Sequence, residues 1–249
     1  MGKHSVIIQL ENIVFSYAGR KPVLDDLSFT LEEGAKLGLI GHNGSGKTTL
    51  LHIIMGLLKP TSGTIRAFGK PVETKKDFLD VRRKIGFLFQ DADDQLFCPT
   101  VLEDIAFGPL NLGKSPKEAR KMAMEILERL NLKGFEDRVT HKLSGGEKKL
   151  VALATVLVMA PKALILDEPT TGLDEDTNIR IINLLNSLDI GYIIVSHEYD
   201  FLARTTHDIY SVQNGQIVYN GDSSALHSHY HRHAIGKFRH RHETLSSQT

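Results

Sequence analysis

One nine-residue stretch, Gly41-His-Asn-Gly-Ser-Gly-Lys-Thr-Thr49, constrains this chain more than any other. It fits the pattern G-x-x-x-x-G-K-[ST], with the strand-like KLGLI before it and the helix-like LLHIIMGLL after it. Such a loop must leave a strand, curl tightly and enter a helix. Its glycines free the backbone to turn N–H groups toward one point, and the helix N-terminus adds its dipole, which together suit phosphate oxygens. Gly41, His42, Asn43, Gly44, Ser45, Gly46, Lys47, Thr48 and Thr49 are therefore the candidate phosphate-binding residues. Lys47 is placed to reach β- and γ-phosphates, and the Thr48 hydroxyl to meet Mg²⁺.

A second element, Ala163-Leu-Ile-Leu-Asp-Glu-Pro169, reads as a buried strand ending in two carboxylates. Asp167 is the candidate metal-side group. Glu168 is expected to point differently by strand alternation, placed to orient and deprotonate water. The two elements together predict an Mg²⁺-dependent nucleoside triphosphatase. Other stretches supply the frame: SVIIQLENIVFSY and GYIIVSHE read as strands, TNIRIINLLNSL as a helix. SPKEARKMAMEILERLNL reads as a helix with a Ser N-cap and Pro in the first turn, and IYSVQNGQIVYNGD as a hairpin turning at Asn214-Gly215. Strands alternating with helices predict an α/β fold with a mostly parallel, doubly wound sheet and its site at the strands' carboxyl ends.

Composition narrows the setting. Thirty basic and thirty acidic residues cancel, so no nucleic-acid partner is expected. The lone cysteine, Cys98, excludes an internal disulfide framework and fits a reducing compartment. The opening MGKHSVIIQLEN lacks the apolar run of a leader, and the apolar stretch from Leu150 to Ala160 falls short of the roughly 18–20 residues that span a bilayer. A cytosolic chain is expected, unless a partner holds it at a membrane.

A GTPase would carry N-K-x-D for guanine; the nearest candidate, Thr74-Lys-Lys-Asp77, lacks the asparagine. Instead Leu-Ser-Gly-Gly-Glu-Lys-Lys, residues 143–149, precedes an apolar helix about 20 residues ahead of Asp167. Ser-Gly-Gly at a helix start is again a phosphate-binding device. Two γ-phosphate elements in one chain point to a pair of chains, each closing on nucleotide held by the other.

Over roughly residues 6–222 these elements resemble the ATP-binding-cassette (ABC) ATPases. The resemblance implies a P-loop cassette: a RecA-like core, an antiparallel β subdomain and an inserted helical subdomain at about 91–160. The cassette would occupy residues 5–222, leaving a basic, His-rich tail at 223–249. It implies ATP and Mg²⁺ as cofactors, with Thr48, Gln90 and Asp167 on the metal side. By the same resemblance His197 is the switch histidine and Asp174 ends the loop coupling two sites. Ser144, Gly145, Gly146 and Glu147 form the signature that meets the partner's ATP, glutamate standing where glutamine is commoner. Tyr17 is the adenine-stacking aromatic, with Phe15 the next candidate.

The stretch QDADDQLFCPTVLEDIAFGPLNLG, residues 90–113, resembles energy-coupling-factor (ECF) importers, although Asp91-Ala92 departs from their Asn-Pro. Leu96 and Phe97 beside Asp93 and Asp94 are expected to receive an apolar and basic helix of a membrane partner. The resemblance implies a peripheral ATPase at the cytoplasmic face of the membrane, paired with itself or a homologue and with integral membrane subunits. ECF importers carry vitamins or, in a dedicated group, cobalt and nickel. His227, His229, His231 and His233 alternate near the end, with His240 and His242 beyond, and imidazoles suit these metals. Arg232, Lys237, Arg239 and Arg241 also allow a basic tail lying on anionic lipid. The metal importer is the leading expectation; a vitamin importer and an ATP-switched metal sensor are the alternatives.

Overall fold

A computed structural model describes residues 5–223. Its centre is a six-stranded sheet of order β10-β9-β3-β8-β7-β6. β3 (Lys36–Ile40), β6 (Ile85–Leu88), β7 (Ala163–Asp167), β8 (Gly191–Val195) and β9 (Asp208–Gln213) run parallel, and β10 (Gln216–Asp222) returns antiparallel to β9. A separate antiparallel sheet, of order β2-β1-β4-β5, is built from β1 (Val6–Phe15), β2 (Leu24–Glu32), β4 (Ser62–Ala67) and β5 (Lys70–Pro71).

The uninterrupted apolar runs of β7 and β8 explain their central place. Leu164, Leu166, Tyr192 and Ile194 enter one hydrophobic cluster, whereas Ala163, Ile165, Ile193 and Val195 enter another. Burial on both faces is what such runs require. The first cluster is completed by α3 (Val101–Asn111), α4 (Pro116–Arg129), α5 (Gly145–Leu157), α6 (Glu175–Asn186) and α7 (Tyr199–Thr205). The second is completed by α1 (Lys47–Ile54) and the antiparallel sheet. Ser115 caps α4 with Pro116 in its first turn, as its sequence predicts.

Two helices differ from the sequence reading. α1 stops at Ile54 although apolar residues continue to Leu58: Gly56 takes φ +66°, and Leu57 N–H turns back to the His52 carbonyl at 2.8 Å. α2 (Lys75–Lys84) went unannounced because it buries only Val81. Its signal lies in the same Thr74-Lys-Lys-Asp77 that fails as a guanine motif. Those residues form a capping box, with Asp77 Oδ2 accepting from Thr74 N–H at 2.8 Å.

At the β9–β10 turn Asn214 and Gly215 take φ +50° and +78°, the left-handed pair a two-residue hairpin requires. The Gly215 carbonyl accepts from Asp25 N–H of β2 at 3.0 Å, joining the two sheets. Ser223 is buried and donates through its N–H to the His207 carbonyl at 2.7 Å and through its hydroxyl to the Thr206 carbonyl at 2.5 Å. No helix among the described residues is long and apolar enough to cross a membrane.

Candidate nucleotide site

The phosphate loop leaves the carboxyl end of β3 and enters α1. Gly44 takes φ +80° with open space where a side chain would stand, so the loop presents bare backbone there. Gly46, at φ +109°, is the N-cap of α1 and supplies no side-chain cap, leaving the helix's first N–H groups available to an anion. A Cβ on Gly46 would sit 2.7 Å from Leu24 Cδ2, so the loop is pressed against the start of β2. Lys47 is buried, and its Nζ donates to the carbonyls of Gly41 at 2.7 Å and His42 at 3.1 Å. Burial pushes its ammonium pKa down, against the pull of Glu168 and Asp167. The Ser45 hydroxyl is buried without a hydrogen-bond partner. Gly41 to Ser45 line a cavity of about 880 Å³ whose other walls include His197, Gln213 and Asn214.

The second acidic element meets the first across the sheet. Thr48 Oγ1 donates to Asp167 Oδ2 at 3.0 Å, joining groups 119 residues apart. Burial pushes the Asp167 carboxyl up, opposed by the Thr48 bond and by His52, Lys47 and Lys149. Glu168 does not follow strand alternation. It takes φ +47°, a left-handed turn that ends β7 and lays its carboxylate between Thr171 and His197. Thr171 Oγ1 donates to Glu168 Oε2 at 3.2 Å, and His197 Nε2 stands 3.4 Å from Oε1. A hard hydroxyl and a carboxylate side by side, beside a loop built for phosphates, fit Mg²⁺, which is held by few protein oxygens plus substrate phosphates.

The remaining expected residues are arranged around this centre. Tyr17 is 41% exposed and its hydroxyl lies 3.1 Å from Thr49 Oγ1, whereas Phe15 is 7% exposed and packs edge-on against the Tyr17 ring. Of these two, Tyr17 is the one with an exposed ring beside the loop. Gln90 is exposed just past the end of β6. Ser144 caps α5: its Oγ accepts from Glu147 N–H at 3.3 Å while Glu147 Oε2 accepts from Ser144 N–H at 2.8 Å. The second Glu147 oxygen accepts from Arg138 Nη1 at 2.9 Å, and that backbone bond from Ser144, with the guanidinium, holds the carboxyl below its usual range. Gly145 is open, and a Cβ on Gly146 would stand 3.0 Å from Thr177 Oγ1. Asp174 caps α6 through Thr177 N–H at 2.8 Å, so the signature and the loop ending at Asp174 are neighbours. None of residues 143–147 lines the 880 Å³ cavity. His227, His229, His231 and His233, with His240 and His242, lie outside the described residues.

Two polar residues escaped the sequence reading. Gln95 fastens the loop after β6 to α5: its Nε2 donates to the Ala152 carbonyl and to Thr155 Oγ1, each at 2.8 Å, and its Oε1 accepts from Phe89 N–H at 3.2 Å. Lys149, buried in α5, donates to the carbonyls of Gln90 at 2.6 Å and Phe89 at 3.3 Å. The only hint of the latter is a lysine where α5 places apolar residues.

The ABC transporter family model matches residues 24–171, spanning the phosphate loop, the signature and the acidic pair. The chain is an ABC ATPase. A putative ABC transporter ATP-binding protein of Nitratidesulfovibrio vulgaris is 54% identical over 226 residues, covering 90% of this chain and 83% of that protein. The energy-coupling factor transporter ATP-binding protein EcfA of Methanosphaera stadtmanae is 41% identical over 221 residues, covering 87% and 80%. Within the ABC family the chain is thus an ATP-binding subunit of the energy-coupling-factor type. Among solved structures, cbiO1 from Clostridium perfringens, described as part of the ABC transporter complex cbiONQ, superposes with TM-score 0.80 at 35% identity, covering 89% of this chain and 90% of that one. The ATP-binding cassette MJ0796, a dimer in a post-hydrolysis state bound to ADP and Pi, gives 0.77 at 28% identity, covering 85% and 96%.

Proposed function

We propose that this ABC ATPase drives an ECF importer of cobalt or nickel, working as two identical copies at the cytoplasmic face of the membrane. ATP sits between the phosphate loop of one copy and Ser144–Glu147 of the other, with Tyr17 against adenine. Lys47 exchanges its two carbonyl partners for phosphate oxygens. Mg²⁺, when bound, offsets the charge on the β- and γ-phosphates, and Thr48, Asp167 and Gln90 are the groups that hold it. Glu168 takes the proton of the attacking water, and His197, already beside that carboxylate, turns toward the γ-phosphate. Asp174 links the two sites across the pair.

The observation that carries the transport reading is an exposed apolar surface on the loop that follows Gln90 and on α3. Phe97 is 65% exposed and stacks edge-on with exposed Phe107 of α3 at 4.8 Å, with Leu110 exposed further along that helix. Next to it a cavity of about 270 Å³ is lined by Leu57, Phe89, Gln95 and Met159. The composition of this surface differs from the sequence expectation: Leu96 packs onto the core, and Asp93 is paired with Lys148 at 2.6 Å. Phe97 and α3 therefore take the apolar part, and Asp94 stays exposed for a basic group. The metal reading is supported by the alternating histidines at 227–233, whose neutral imidazoles suit Ni²⁺ and Co²⁺.

The test is cellular cobalt and nickel content with the membrane subunits co-expressed, native against Glu168→Gln. The variant is expected to keep ATP, hydrolyse it roughly 10²–10⁴-fold more slowly, and abolish accumulation. Equal accumulation in both strains removes metal as cargo. A chain cut after Ser223 is expected to keep its basal ATPase and lose bound metal; loss of catalysis would instead place the tail in the catalytic fold.

A further inference from the structure

A buried lysine needs a reason. Lys149 lies about one turn into α5, is 4% exposed, and donates to two main-chain carbonyls, Gln90 at 2.6 Å and Phe89 at 3.3 Å. An apolar side chain would fill the space without the desolvation that an ammonium incurs. The carbonyls it meets are those where β6 ends and the loop to α3 begins. Its charge acts on Asp91, the residue after Gln90, and on the acidic pair Asp167 and Glu168. Two and five residues before it, at the start of the same helix, stand Glu147 and the capping Ser144, whose own side-chain bonds are confined to the helix start and Arg138.

We propose that Lys149 is a positioning residue for hydrolysis, gripping the backbone of Gln90 so that this residue and the signature at the start of α5 move as one body. A displacement of the loop by a membrane partner then reaches the signature directly, and closure of the signature on nucleotide aims Gln90. This rests on the reading of Gln90 as a metal-side residue. The grip complements Gln95, which fastens the same loop further along α5, at Ala152 and Thr155. Lys149 differs in holding Gln90, the residue of this loop whose side chain the proposed mechanism uses, and in doing so through a charge.

The experiment uses the full chain with Lys149→Met, Lys149→Arg, Gln90→Ala and the Lys149→Met/Gln90→Ala pair. In the nucleotide-free chain, amide exchange over residues 89–94 is expected to accelerate about tenfold in Lys149→Met and to stay near native in Lys149→Arg, since one charge-assisted bond is worth roughly that factor. The Mg²⁺ concentration giving half-maximal ATPase is expected to rise several-fold in Lys149→Met while nucleotide affinity stays within about twofold. The double variant is expected to match Gln90→Ala alone, because residues acting through one another are not additive. Lys149→Met that lowers the melting temperature yet leaves loop exchange and Mg²⁺ dependence native overturns the proposal, as do effects that multiply in the double variant. Gln90→Ala with native Mg²⁺ dependence overturns the reading of Gln90 instead, and loop exchange then decides whether Lys149 holds the loop.

Discussion

Gln95→Met tests whether the loop after β6 is held by hydrogen bonds or by packing. Methionine keeps the length and most of the volume of glutamine but has no donor and only a weak acceptor. Of the three bonds lost, two end on groups with other partners, because Thr155 Oγ1 also donates to the Ala152 carbonyl at 2.8 Å. The third leaves Phe89 N–H without its acceptor. An orphaned donor costs about 1–3 kcal/mol and each of the other two bonds about 0.5–1 kcal/mol, so the substitution should cost about 3 kcal/mol. In a chain of this size that lowers the melting temperature by about 6–12 °C if the loop opens with the whole fold. If it opens alone, the Phe89 amide exchanges on the order of 100-fold faster while the central strands keep their protection. Amide exchange read peptide by peptide, alongside a thermal melt, separates the two. Native melting together with native exchange at Phe89 would refute the reasoning, for packing alone would then hold the loop.

Three other outcomes are expected. Burial raises the Asp167 carboxyl above its unfolded value, so the folded chain binds the proton more readily and stability falls as pH rises from the ordinary carboxylate range through that raised value. Asp167→Asn should therefore melt higher than native at about pH 8 without nucleotide, with the gap closing near pH 4; a gap that widens on acidification contradicts the buried charge. A Cβ on Gly86 would stand 2.2 Å from Val156 Cγ1 and 2.8 Å from Leu164 Cδ2, and Gly86→Ala should cost about 1–3 kcal/mol in urea unfolding. An unchanged midpoint would mean that α5 yields at no cost. Tyr17→Ala should weaken ATP binding roughly ten- to a hundredfold and Tyr17→Phe by no more than about twofold, measured by fluorescent-nucleotide titration; equal losses would assign the role to the hydroxyl bonded to Thr49.

What the sequence made legible follows from what is local. The phosphate loop, the capped α4, the Asn214-Gly215 hairpin and the runs of β7 and β8 announce themselves because each is specified by residues close in the chain. Glu168 was expected to alternate with Asp167, yet a left-handed turn sets its direction, and Glu168-Pro169 carries no glycine to advertise that turn. Gln95 and Lys149 were invisible for another reason. Each joins a side chain to main-chain groups more than 50 residues away, and neither periodicity nor a motif encodes such a bond. The sequence ranks Tyr17 ahead of Phe15 by resemblance alone; burial separates the two in the fold.

The glycine at 215 and the glycine at 46 lean on one short ledge. A side chain at 215 would press on Asp25 N at 2.8 Å, and one at 46 on Leu24 Cδ2 at 2.7 Å. Residues 23–25 are therefore braced between the hairpin on one side and the phosphate loop on the other. Drift at the hairpin, far along the chain from the phosphate loop, would register as a change in how tightly nucleotide is held. Selection acting on ATP affinity thus reaches the β9–β10 turn, whose Asn214 also lines the cavity beside the phosphate loop.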